Sequence, residues 1–413
     1  MTEPRPEAPA RAGIAAFLLG AAGMFATMYS TQAILPELSR EFAVTPSRAG
    51  LSVSVVVLAV ALGAWAWGPV SDRVGRTRAI SLASWLLVLP TVGVALAPWF
   101  ELLLAFRALQ GLCMPGLLIV GAPYVVELFV PAVGIRAMGW YVSALVAGGL
   151  VGRVGVALAT AVVGWRWAIG LLALLPLAAA AGMHGGLPPA PLPARSSRVL
   201  LGLLDRRLGA VALAGAALFF TFVGTFTYVV YRLQAPPFSY GTSVSSLVFL
   251  LWLAGGLGPL AGRLAERLGW RRLAAAMVAL AAAGLVLSVP DWTPSIVLGL
   301  ACVATGMFTG YTAAQLGVGD VARANRGAAS ALFFSAYYGS GAVGAYVPGL
   351  AWEAWGWTGV VSLGLASLAL AAAALAAAGP GRVARRRGAR PARLRWPSAQ
   401  RARRRAPRGA PRR

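Results

Sequence analysis

The chain has 413 residues, 59% of them hydrophobic and only 12% charged, with a formal net charge of +24 and a mean hydropathy of +0.74. A water-soluble protein needs about 25% charged residues to clothe its surface, so a soluble multi-domain enzyme is excluded and a polytopic membrane protein is expected. All 36 basic residues are arginine, a bias that a GC-rich coding sequence explains without any guanidinium chemistry.

Residues 1–12 form a polar, Pro-rich cytoplasmic arm without the basic-then-apolar layout of a cleaved signal, so the first apolar run is expected to stay in the membrane. Uncharged runs then recur, most reaching the roughly 20 residues that cross a hydrocarbon core of about 30 Å. They predict twelve helices, at 13–36, 49–68, 79–98, 100–122, 137–162, 165–183, 208–232, 243–262, 272–290, 293–317, 326–350 and 357–378. The runs lack the alternating polarity of barrel strands, and a spanning chain must satisfy its backbone internally, so the fold class is all-α.

In the first predicted span Met28 and Gln32 share one face, with Tyr29 beside them. Between the second and third spans stand Gly68, Asp72, Arg73, Gly75, Arg76 and Arg78, in a loop of about ten residues. Gly68 and Gly75 permit a sharp turn. Asp72 at the membrane edge needs a partner, either a nearby arginine or a helix N-terminus. Such a cluster is expected to latch the two halves in one state and release them in another; the plainer reading is that the arginines only enforce topology.

Arg107 in the fourth span and Arg153 in the fifth are the most deeply embedded charges. At 1.5 Å per residue they lie about 10 Å and 13 Å below the outer face, on antiparallel neighbours that can present both to one cavity. A charge within the membrane marks a functional pathway by default; the alternative is structural packing against backbone carbonyls. Neither has an acid at its depth, so substrates are expected to be neutral or anionic.

The longest internal break, 184–207, is rich in Pro and Arg and reads as a cytoplasmic linker between bundles at 13–183 and 208–378. The halves repeat. Gly262, Glu266, Arg267, Gly269 and Arg272 match Gly68, Asp72, Arg73, Gly75 and Arg78 at an offset of 194. Gly341, Gly344, Gly356 and Trp357 match Gly149, Gly152, Gly164 and Trp165 at 192. In the second half, Phe222, Thr225 and Tyr228 of span seven, Tyr311 and Gln315 of span ten, and Tyr337 and Tyr338 of span eleven are expected to line a cavity or to pack between helices. Residues 379–413 hold 14 arginines and no acid. This tail is expected to be disordered and to meet anionic lipid rather than nucleic acid.

Fourteen arginines fall in the even-numbered loops but only Arg40, Arg48, Arg166 and Arg232 in the odd-numbered ones, which places both termini in the cytoplasm. Trp99, Trp165, Trp167, Trp292, Trp352, Trp355 and Trp357 cluster at the outer ends, where indole rings favour the headgroup layer. Cys113 and Cys302 lie in apolar runs away from metal-ligand spacing, and His184 falls at the edge of the linker.

The Gly68–Arg78 string resembles the major facilitator superfamily signature between spans two and three, with Thr77 replacing a usual base, and Arg107, Gln110 and Gly111 resemble its R-x-x-Q-G motif. Gly148-Gly149 and Gly152-Arg153, standing where drug antiporters carry Gly-Pro, are similar to the YnfM-like inner-membrane efflux branch, as are Met28–Pro36 and Phe334–Ser340. The resemblance implies two pseudo-symmetric six-helix bundles. It also implies proton-coupled efflux of a small organic molecule by a monomer without metal or cofactor. A membrane receptor or scaffold that keeps the fold is the competing class. An ATP-driven pump ranks below it, because a Walker-type loop requires lysine and the chain has none.

Overall fold

Four glycines turn this chain, and they form two of the five glycine pairs that the internal repeat matches. Gly75, Gly164, Gly269 and Gly356 have φ of +87°, +81°, +79° and +58°, a backbone region that side chains with a Cβ essentially never occupy. At Gly75 the amide donates back to the Ser71 carbonyl (3.0 Å) and the carbonyl accepts from Ala79 (3.0 Å); Gly269 repeats the pattern with Ala265 and Leu273 (2.9 and 3.2 Å). Each glycine ends one helix and starts the next. The expected ten-residue loop after the second span is therefore a single residue: Pro46–Val74 runs to Gly75 and Arg76–Leu96 leaves it. Gly68 lies inside the helix and has no part in the turn.

The computed structural model describes residues 8–128, 131–184, 186–188, 206–322 and 326–378. Most of the expected linker, the start of the arm and the Arg-rich tail lie outside the described residues. Among the described residues every regular element is helical, and ten helices are long and apolar enough to cross a membrane. One of these contains two limbs, because Arg326–Ala377 reverses at Gly356 and so carries the eleventh and twelfth predicted spans. The eighth predicted span is present in pieces: Thr242–Ser246, a 3-10 run Leu247–Leu257, and Gly258–Leu268.

Other spans are also broken, and proline accounts for two of the breaks. The first span runs Ala8–Tyr29, a 3-10 turn Gln32–Ile34 and then Leu35–Phe42, so the helix passes beyond Pro36, which stands in the first turn of the second piece where its missing N–H is harmless. The fourth comprises Phe100–Cys113, Pro115–Leu118 and Gly121–Leu128. The fifth is Pro131–Leu150, a π-helical turn Val151–Gly155, and Val156–Val163.

The two halves pack by one rule. In lipid no hydrophobic force pulls helices together, so small residues let backbones approach. A Cβ at Gly148 or Gly152 would sit 1.9 and 2.1 Å from the carbonyl oxygens of Ala22 and Ala26. The second half repeats the contact 192–194 residues on: Ser340 Oγ donates to the Ala216 carbonyl at 2.8 Å, and a Cβ at Gly344 would lie 2.6 Å from that of Phe220. The outward faces expose Leu89, Val162 and Leu370 at 76%, 84% and 64%, among many other large apolar side chains, as faces turned to lipid do. Trp99, Trp167, Trp292 and Trp355 are exposed too. Trp165 and Trp357 are not: both are buried beside their turn glycines, the first donating to Glu41 and the second to the Ser288 carbonyl at 3.0 Å.

Candidate functional site

Between the halves lies a cavity of about 830 Å³, within the range of small-molecule sites. At its deepest level stand Tyr29 and Trp252; its walls include Phe25, Tyr141, Phe219, Phe308, Tyr337 and Tyr338, and the lining reaches Ala122, Gln315 and Ser330. Those three lie within two helical turns of Leu128, Val321 and Arg326, at the end that carries the Gly75 and Gly269 turns. The other end is closed by bonds from one half to the other. Ser39 Oγ bonds Tyr231 at 2.6 Å, Thr242 donates to Glu37, and the Ser47 amide donates to Glu353 at 2.8 Å. Deeper, Gln32 Nε2 donates to Thr227 (3.0 Å), and Ser54 Oγ to the Ala342 carbonyl (2.6 Å). The cavity therefore opens at the end that arginine placement assigns to the cytoplasm.

Tyr29, Tyr311, Gln315, Tyr337 and Tyr338 line the cavity, as expected from the sequence. Met28, Gln32, Phe222, Thr225 and Tyr228 do not; they are buried in packing. Phe222 lies under Trp252, with ring centroids 4.6 Å apart. Tyr228 donates to the Ala345 carbonyl at 2.7 Å. Sequence reasoning missed Trp252, Phe308 and Phe25. Phe25 stands one turn before Tyr29, so helical spacing pointed to it; Trp252 sits in a 3-10 run whose facing no 3.6-residue period predicts.

The two embedded arginines come to the same level with opposite surroundings. Arg107 donates from Nε to the Ser52 carbonyl (2.7 Å), from Nη1 to the Thr27 carbonyl (2.7 Å) and Gln110 Oε1 (2.8 Å), and from Nη2 to the Met28 carbonyl (2.5 Å). The break after Tyr29 falls beside two of these carbonyls; that of Thr27 also accepts from the Ser30 amide (3.3 Å) and hydroxyl (2.9 Å), and Ser52 lies within the continuous helix Pro46–Val74. Gln110 passes the network to Thr91 at 3.1 Å, and a Cβ at Gly111 would lie 2.4 Å from the Val56 carbonyl. Arg107, Gln110 and Gly111 thus tie the first four spans together, and the expectation that Arg107 faces substrate gives way to a structural role.

Arg153 sits between rings. Its guanidinium carbon lies 3.8 Å from the Tyr29 centroid and 3.4 Å from that of Trp252. Nε donates to Gln32 Oε1 and Nη1 to the Gly149 carbonyl, each at 2.8 Å. Its Nη2 and the neighbouring indole Nε1 of Trp252 are buried without an acceptor, a state that costs about 1–3 kcal/mol for each group.

At the cavity mouth, Asp72, Arg73 and Arg78 are exposed, and so are Glu266, Arg267, Gly269 and Arg272 of the repeat; Gly262 is partly exposed. Asp72 forms no hydrogen bond or ion pair among the described residues. Arg76 instead grips Glu127 at the end of the fourth span, with Nη2 donating to Oε1 at 2.6 Å.

Repeated helical halves around a central cavity define a membrane carrier. A family model of the Major Facilitator Superfamily matches residues 17–345, and the chain belongs to that superfamily. It is similar to the uncharacterized MFS-type transporter YybF of Bacillus subtilis, 29% identical over 84% of this chain and 88% of the other. It is also similar to the inner membrane transport protein YnfM of Escherichia coli, 30% identical over 85% and 86%. Among solved structures, a mutant of the nucleoside transporter NupG matches with a TM-score of 0.73 at 15% identity, over 89% of this chain and all of that one. The protein is a multi-pass membrane transporter.

Proposed function

We propose that the protein is a secondary carrier of the cytoplasmic membrane, with both termini inside, that exports a small organic molecule by alternating access in exchange for protons. The observation that carries this reading is the cavity of about 830 Å³, open at one end and closed at the other by bonds between the halves. In alternating access the outer bonds release while the inner end closes around the same site. The likeness to YnfM supports the inner-membrane location, and the resemblance of Gly148–Arg153 to the YnfM-like branch supports proton-coupled efflux. In proteoliposomes, counterflow of organic substrates that responds to an imposed pH gradient is the expected result. Uptake of solute that neither exchanges nor responds to the gradient would refute it.

A further inference from the structure

Behind the closed end of the cavity, where Tyr29 and Trp252 line it, two buried donors have no hydrogen-bond partner. Arg153 is fully buried, and no carboxylate pairs with it among the described residues, whereas Arg166 and Arg232 have Glu41 and Asp291 and Arg107 has three backbone carbonyls. Tyr29 and Trp252 offer their ring faces to its charge, which offsets part of the desolvation but supplies no counter-charge. Nη2 of Arg153 and Nε1 of Trp252 are left unmatched in one stacked layer. Buried polar groups without partners are rare in folded proteins. Here Trp252 lines the closed end of a ligand-sized space rich in aromatic side chains, and Arg153 lies directly behind the rings of Trp252 and Tyr29.

We propose that this layer is an anion subsite, at which Arg153 Nη2 and Trp252 Nε1 together bind the carboxylate of a substrate with a planar apolar body. The body lies among Phe25, Phe219, Phe308, Tyr337 and Tyr338, which line the same cavity. Entry of the carboxylate requires one of the two rings to swing aside, exchanging a cation–π contact for a charged hydrogen bond. The backbone is irregular where that happens: Arg153 lies in the π-helical turn Val151–Gly155, Trp252 in the 3-10 run Leu247–Leu257, and Tyr29 at the end of its helix. Such departures from α-helical bonding recur at functional sites. Arg153 belongs to the first half and Trp252 to the second, so one bound carboxylate bridges the halves. The subsite names the substrate class of the proposed carrier and rests on that reading.

The test uses the full chain in lipid nanodiscs with three probes of one shape: 1-naphthoate, 1-naphthamide and 1-naphthylmethylammonium, with binding followed by calorimetry. Naphthoate is expected to bind about tenfold or more tighter than the amide, as one hydrogen bond to a charged group confers, with the ammonium weakest. Trp252→Phe keeps a ring over Arg153 and removes the N–H; it is expected to weaken naphthoate by about threefold to tenfold and to leave the amide unchanged. Arg153→Gln is expected to abolish the preference. Equal affinity for naphthoate and amide, no binding of naphthoate, or a preference that survives both substitutions would each overturn the proposal and leave Arg153 a fixed link between the halves. If Arg153→Gln fails to insert, the natural chain and Trp252→Phe still decide. Labelling of a cysteine at Gln315 in the same nanodiscs separates the two readings. Alternation without the preference removes only the subsite; the preference without alternation or counterflow removes the carrier.

Discussion

The two ends of this molecule, called outer and inner after the orientation proposed from arginine placement, are built from the same repeat yet handle charge in opposite ways. At the outer end all four arginines have an acid: Arg40 with Glu37, Arg48 with Glu101, Arg166 with Glu41 and Arg232 with Asp291. At the inner end, Arg76 with Glu127 is the fifth ion pair among the described residues, and it lies within one half. The side-chain hydrogen bonds from half to half run from the outer end to the level of Ser54 and Ala342, and none is seen nearer the mouth among the described residues. The number of arginines in a loop is the same in every conformational state, whereas their pairing differs between the two ends of this one. Exposed pairs such as Arg48–Glu101 contribute little by themselves, about 0–1 kcal/mol. The buried and half-buried bonds across the seam, about 0.5–1.5 kcal/mol each, are what hold the outer end shut.

The largest way to break this asymmetry is at its foundation. Arg107→Ala removes four buried hydrogen bonds, to the carbonyls of Ser52, Thr27 and Met28 and to Gln110, and is expected to lower stability by more than about 3 kcal/mol. Thermal unfolding of detergent-purified protein checks this, and an unchanged melting temperature would contradict the clasp. The next effect acts on the seam. Combining Ser39→Ala with Glu353→Gln weakens two outer bonds and is expected to shift the equilibrium toward an outward-open state by about 2 kcal/mol, roughly thirtyfold. With Cys113 and Cys302 replaced by serine, a cysteine at Gln315 should label more slowly from the inner side in this variant; unchanged labelling would show that the seam is not the latch. The smallest effect on stability is expected at Asp72. Because it is exposed and unpartnered in this state, Asp72→Asn should change stability by less than about 0.5 kcal/mol yet raise inner labelling at residue 315 and slow transport, if Asp72 latches the opposite state. Full transport with normal labelling would leave the motif with topology alone.

The membrane class, the all-helical fold and the matched glycines of the repeat were legible in the sequence, whereas the ten-residue loop expected after the second span is a single residue. The legible features rest on hydropathy and on glycine, whose positive φ no other residue adopts easily, so Gly75 with Gly269 and Gly164 with Gly356 stand out at matched offsets. The common level of Arg107 and Arg153 was also readable, because rise per residue converts position into depth. Their difference was not. Arg107 bonds to backbone carbonyls of the first two spans, and a carbonyl leaves no mark in a residue pattern. Tyr311 and Gln315 stood out as an aromatic and a polar residue within an apolar span and line the cavity, whereas helical spacing pointed to Met28 and Gln32, which do not, and Trp252 lies in a stretch wound more tightly. Which end is closed, which arginine is satisfied and which donors are left over depend on contacts between residues up to 306 positions apart, as with Ser47 and Glu353. Only the packed halves decide those, because hydrogen bonds are made in space and local sequence constrains only one partner at a time.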